Sequence, residues 1–200
     1  IWCDGNKQNP YAWANREIDS VMAWTNRNPN DMMQAFTAAG IKKAVKQNKL
    51  AVLFGVEGGH MIENDLNKLE ALYKRGVRYM TLTWNNSTDW ATSALDETTA
   101  PPNEFRSFPL SGIPEGRTLK DSARKKGLTE FGKLLIKRMN ELGMLVDLSH
   151  VGEQTFWDAI NITTKPVLVS HSCVYSLCKH RRNLKDDQIK AIGKNGGVIH

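Results

Sequence analysis

Residues 51–60 read AVLFGVEGGH. Six largely apolar residues end in a carboxylate, two glycines and a histidine. A buried strand that stops on Glu57 has an ordinary explanation, since strands end in turns and turns use glycine. The other explanation is that Glu57 stands at the mouth of a sheet and holds something. Two further stretches favour the second. MLVDLSH (144–150) and PVLVSH (166–171) share one design: an apolar run, then serine, then histidine, with a helical pattern following.

The rest of the chain supplies the frame. Strand-like segments alternate with helix-like ones: the end of a strand at IWCD, then LAVLFGVE, VRYMTLTW, MLVDLSH, PVLVSH and finally GVIH. These are nearly continuous apolar runs, as in a parallel sheet covered by helices. Between them, 12–25 and 31–47 carry helical patterns, with Asn30 or Asp31 a plausible cap for the second and Gly40 weakening its middle. NDLNKLEALYKRG places Leu66, Leu69, Leu72 and Tyr73 on one face and closes on Gly76. LTEFGKLLIKRMNELG has Thr129 as cap and Phe131, Leu134, Leu135 and Met139 as apolar face. GEQTFWDAI and NLKDDQIKAIGKNG supply two more helices, the last ending at Gly196. Residues 85–127, rich in Pro, Gly, Ser, Thr and charge, interrupt the rhythm and are too long for an ordinary connection, so they predict a functional excursion over the surface.

Two architectures fit this alternation, an open doubly wound sheet and a (β/α)8 barrel. No Gly-x-Gly-x-x-Gly follows the first strand, which disfavours a dinucleotide fold. The position of the polar residues favours the barrel: Glu57, His150 and His171 each end a separate strand, on the face where barrels build their sites. The two histidines are 21 residues apart, one strand–helix unit, so neighbouring strands would set their imidazoles side by side. Singly, a histidine after a strand is most often structural. Two imidazoles and a carboxylate together suit zinc or a related divalent cation. His60, in the turn after Glu57, would line the site or cap the next helix, and His180 sits in a basic, solvated stretch.

Bulk properties bound the alternatives. The chain has 200 residues, 40% hydrophobic and 24% charged, enough for a single globular domain with a core. Its net charge of +6 is scattered along helical segments with no aromatic interleaving, which argues against nucleic acid. No apolar run reaches the roughly 18 residues of a membrane span. The start has no basic, apolar signal-peptide pattern, so the chain reads as a soluble domain of unassigned compartment. Cys3, Cys173 and Cys178 are too few and irregular for a disulfide framework. IWCD begins as though mid-strand and NGGVIH stops inside one, the expected look of a segment from a longer chain.

Four blocks, in order, make the reading specific: GVEGGH, RYMTLTWNNSTDWATSA, GLTEFGKLLIKRMNELGMLVDLSHV and PVLVSHSCVYSLCKHRRNL. Together they resemble the membrane dipeptidase (renal dipeptidase) family of zinc peptidases, over all but about 95–126. The resemblance implies a (β/α)8 barrel with two zinc ions in the intact protein. It implies that Glu57 bridges both metals, that His150 and His171 bind one of them, and that Arg182 holds the substrate's carboxylate. Trp84 stands where mammalian members have a histidine near the scissile group, and offers an indole N–H instead. A His-x-Asp motif expected on the first strand would fall before Ile1, and a late aspartate after His200, so the chain corresponds to about strands two to seven of eight. The implied activity is hydrolysis of dipeptides by a metal-activated water, and a homodimer is compatible with it. The rival readings are another metal-dependent amide hydrolase on the same barrel and a binding homologue without chemistry.

Overall fold

The computed structural model describes residues 1–99 and 126–200. Five strands form one parallel sheet: β3 (Phe54–Glu57), β4 (Val77–Thr81), β5 (Leu145–Asp147), β6 (Leu168–Val169) and β7 (Val198–Ile199). Their spatial order is their chain order, β3-β4-β5-β6-β7. A doubly wound sheet would reverse direction at a switch point; an unbroken order is the winding of a barrel. Before β3, Trp2 bridges Glu57 in parallel and the Glu57 N–H donates to the Ile1 carbonyl at 2.9 Å, adding the tail of a sixth strand. The sheet is thus an open arc of a (β/α)8 barrel. Register is continuous across its middle: Glu57 lies opposite Thr81, Thr81 opposite Asp147, and Asp147 opposite Leu168.

Helices lie between the strands as their caps and apolar faces dictate. α1 (Pro10–Arg27) opens on proline, whose missing N–H costs nothing in a first turn, and buries Ala14 and Ile18. α3 (Leu66–Lys74) starts where the Asp65 carboxylate accepts the Asn67 N–H at 2.8 Å, and buries Leu69 and Leu72. α5 (Glu130–Leu142) is capped by Thr129 and closed by Gly143 at φ 75°. Its buried face is Leu135, Ile136 and Met139, with Phe131 packed at its edge; Leu134, expected to be in that face, is 52% exposed. α6 (Glu153–Ile162) and α7 (Asp186–Asn195) complete the cover, the latter ending at Gly196 as expected.

Two expectations require correction. The helical pattern over 31–47 is a strand followed by a helix: β1 (Met32–Gln34), then α2 (Ala38–Lys46). The cap is Thr37, whose hydroxyl accepts the Gly40 N–H at 3.1 Å, not Asn30 or Asp31. LAVLFGVE is likewise two strands, β2 (Leu50–Val52) and β3, and β2 pairs with β1 in a separate two-stranded sheet. Short segments of three residues carry too little periodicity to separate strand from helix.

Of the excursion at 85–127, the segment 100–125 lies outside the described residues. The part before it is packed inward: Thr88, Trp90, Ala91, Thr92 and Ser93 are all buried, and α4 (Ala94–Thr99) follows. Ala91 and Ser93 bridge Leu128 and Val151, tying the segment to the tops of α5 and α6.

Candidate metal centre

The C-terminal rim of the sheet brings three donors together. His150 Nε2 lies 2.8 Å from His171 Nε2 and 3.0 Å from Glu57 Oε1, and His171 Nε2 lies 3.3 Å from that same oxygen. Glu57 closes β3, while His150 and His171 follow β5 and β6 by three and two residues. His150 turns its ring onto the site from a left-handed backbone, φ 66°, a conformation that costs energy in a non-glycine residue and concentrates at functional positions. It is buried, whereas His171 is about half exposed.

The glycines after Glu57 have steric reasons. Gly58 sits at φ 114°, where a Cβ would also enter the His60 imidazole. A Cβ on Gly59 would come within 2.5 Å of the Trp90 ring and 2.6 Å of the Leu82 carbonyl. The chain can therefore turn tightly behind Glu57 only without side chains.

Protonation at the site is set by its surroundings. Glu57 is held below the ordinary carboxylate range, chiefly by its hydrogen-bonding contact with His150, with the charges of both imidazoles and Arg182 adding to it against burial. Burial pushes His150 down, despite Glu57. The carboxylate is thus kept ionised and the imidazole neutral. His150 Nδ1 lies 3.1 Å from Asn85 Oδ1, an acceptor; with its proton on Nδ1 the ring would turn a bare Nε2 to a cation in place of its contact with Glu57. His171 Nδ1 lies 2.9 Å from Ser170 Oγ. One ligand atom from each of Glu57, His150 and His171, within 3.3 Å of one another, makes this a candidate cation site. Tetrahedral ligands at about 2.0–2.2 Å from zinc stand roughly 3.3 Å apart. The donor set, two nitrogens and one oxygen, fits that ion.

The family model for membrane dipeptidases (peptidase family M19) matches residues 1–200. The chain belongs to this family. Solved structures agree on the fold. An amidohydrolase from Pseudomonas aeruginosa superposes with a TM-score of 0.75 at 26% identity, over 92% of this chain and 48% of its own. The probable dipeptidase PvdM of the same organism gives 0.75 at 22%, over 92% and 41%. A metallopeptidase from Rhodobacter sphaeroides, bound to a phosphinate mimic of the dipeptide L-Ala-D-Ala, gives 0.71 at 24%, over 90% and 46%. The chain spans less than half the length of each.

Within this dipeptidase-family barrel, the other residues singled out by sequence fall as follows. Arg182 is half-buried and lines a 260 Å³ cavity together with His150, Ser172 and Tyr175. Its guanidinium makes no hydrogen bond to the described residues, and burial pushes its pKa down while Glu57 and Asp147 oppose this. Trp84 packs edge-on to Trp2, ring centroids 5.2 Å apart, and lies 6.4 Å from the His150 ring. His60 does not join the donors or cap α3. It sits in a 3-10 turn (Gly59–Ile62), its Nε2 3.2 Å from the Cys3 carbonyl and 3.5 Å from Cys3 Sγ. Burial pushes His60 down and the Cys3 thiol up to about 11, so the pair is neutral and is no thiolate nucleophile. Cys173 and Cys178 are exposed free thiols.

Sequence reasoning missed Asn85 and Asp147. Asp147 is fully buried at the end of β5, three residues before His150. A carboxylate inside an otherwise apolar strand, in VDLSH, was the available signal.

Proposed function

We propose that the native protein containing this chain is a zinc-dependent dipeptidase, with 1–200 forming part of a single barrel domain. The observation that carries the reading is the convergence of one ligand atom each from Glu57, His150 and His171 at the rim of a barrel of this family. These three residues would hold a metal, and Glu57, with a second carboxylate oxygen free to share, would bridge to a second ion. Zinc bound there supplies Lewis-acid polarisation of a carbonyl and a water whose pKa falls towards neutrality.

The chain's own residues do the remaining work. Arg182, facing the cavity beside His150, anchors the free carboxylate of a short substrate through its planar fork. The Trp84 ring, held against Trp2, walls the site near His150. The cavity is lined by His150 and Arg182 but not by Glu57 or His171, so it is the anchor side of the site, next to the donors. That the Rhodobacter sphaeroides metallopeptidase took a phosphinate dipeptide mimic supports this substrate class.

A second reading, hydrolysis of a different amide, is favoured by the fold likeness to an amidohydrolase at 26% identity. One experiment tests both. The native protein is assayed for zinc content and for turnover of a panel of dipeptides and non-peptide amides, beside Glu57→Gln. Dipeptide turnover with two zinc ions, both lost or reduced in the variant, supports the proposal. Turnover confined to other amides selects the second reading. Full zinc and activity in Glu57→Gln removes Glu57 from the site, and zinc-free native protein without turnover leaves a binding homologue.

A further inference from the structure

The side chains behind His171 form a chain of hydrogen bonds whose directions can be deduced. Asp147 is fully buried, and its carboxylate takes four donors. Oδ1 accepts the backbone N–H groups of Ser149 and Ser170, both at 3.0 Å. Oδ2 accepts the hydroxyls of Thr81 at 2.7 Å and Ser170 at 2.5 Å. With two backbone N–H groups on Oδ1 and two hydroxyls on Oδ2, the carboxylate serves as acceptor throughout. The hydroxyl hydrogen of Ser170 therefore points at Asp147. Ser170 Oγ has only lone pairs left for His171 Nδ1, 2.9 Å away, so that nitrogen must carry its proton and Nε2 is left bare.

We infer that Asp147 and Ser170 are positioning residues that fix His171 in the tautomer able to bind metal. The inference rests on the proposed role of His171 as a ligand. Neighbouring strands supply the parts. Asp147 ends β5 opposite Leu168 of β6, and Ser170, two residues past Leu168, falls on the same face. His150 is oriented by a separate route, through Asn85. Each imidazole thus has its own outer partner, a common device for fixing the ring and tautomer of a metal ligand.

The relay makes an unusual prediction for Asp147→Asn. The amide keeps an acceptor for the two backbone N–H groups, but its NH2 replaces Oδ2 and must donate to Ser170 Oγ. The serine hydroxyl then turns to donate to His171 Nδ1, at 2.9 Å the nearer of its two other neighbours (Ser149 Oγ lies 3.3 Å away), and the ring proton moves to Nε2. Zinc affinity should fall about ten- to a hundredfold. Ser170→Ala removes the relay without imposing the wrong proton, and should cost less. Ser170→Thr keeps the hydroxyl and should restore the native state. The double variant Asp147→Asn/Ser170→Ala should bind zinc better than Asp147→Asn alone, because the misdirecting hydroxyl is gone.

The test uses the native protein with ring-labelled ¹⁵N-histidine, metal-free and mildly alkaline, alongside zinc competition titrations. Two-bond proton–nitrogen spectra should show His171 protonated at Nδ1 in the native protein and Ser170→Thr, at Nε2 in Asp147→Asn, and mixed in Ser170→Ala. A native His171 protonated at Nε2 overturns the inference, as does a double variant weaker than Asp147→Asn. If Asp147→Asn does not fold, Ser170→Ala decides: an unchanged tautomer with unchanged zinc affinity overturns it. The spectra are read without metal, so they judge the relay separately from the ligand assignment, which the titration judges.

Discussion

Arg182 and His60 are both half-hidden cationic or titratable side chains near the rim, and their surroundings give them different work. Arg182 faces the cavity, and its guanidinium donates no hydrogen bond to the described residues, which leaves its fork open to an anion. If it holds a substrate carboxylate, Arg182→Ala should cost about 1.5–3 kcal/mol, roughly ten- to a hundredfold in kcat/KM on a free dipeptide. The same variant should lose most of the native preference for the acid over the C-terminal amide, with zinc content intact. Arg182→Lys should recover only part, because the fork is gone. An unchanged preference would place the anchor elsewhere. His60 is spent on structure. Burial lowers its folded pKa below the ordinary value near 6.5, so the unfolded chain takes up the proton first. Its contribution to stability is therefore complete above about 6.5 and is lost as pH falls through that value towards the folded pKa, by no more than about 1.4 kcal/mol per pH unit. Urea unfolding across this range should show a shallower loss on acidification in His60→Gln than in the native protein; equal slopes would contradict the assignment.

The helices were the most legible elements, because their signals are local. Thr129 was recognisable as a cap from its place before an apolar-periodic run, and its hydroxyl does accept the Gly132 N–H at 3.4 Å. Thr129→Ala should therefore lower the stability of the native protein by about 1 kcal/mol, measured by denaturant unfolding. A change within error would mean that this long hydrogen bond carries nothing. The β1–β2 pair shows the opposite case. Met32–Gln34 has two methionines and a glutamine, a composition comfortable in a helix, and it is a strand because β2 pairs with it. Tertiary pairing overrides a weak local preference of that kind. The apolar face of α5 differs from the expected one at Leu134 for a related reason, since which leucine faces inward depends on the angle at which the helix meets the sheet.

As a molecule, the arc carries its vulnerability at its margins. β7 ends the sheet with Val198 and Ile199, 59% and 40% exposed, and on the other side, among the described residues, β3 is paired only with Ile1 and Trp2. Unpaired strand edges template association. Residues 1–200 expressed alone should self-associate, or unfold without a sharp cooperative transition. A monomer that melts cooperatively, with the heat expected for 200 residues, would show that the arc is self-sufficient.

The alternation of apolar runs and helical faces determined the class of fold, and the polar residues ending those runs determined where to look for chemistry. Both are one-dimensional facts, since strand ends and turn residues are written in consecutive positions. The family blocks placed Glu57, His150, His171 and Arg182 by the same route. What required the folded chain was relation. Only the unbroken strand order excluded a doubly wound sheet, because order is a property of pairing between segments far apart in sequence. Only the parallel register brought Ser170 over Asp147, and only the hydrogen bonds there bear on which nitrogen of His171 carries the proton. A buried carboxylate in VDLSH is visible as a letter; what it does depends on donors contributed by β4, β6 and the turn after β5, which no local pattern encodes.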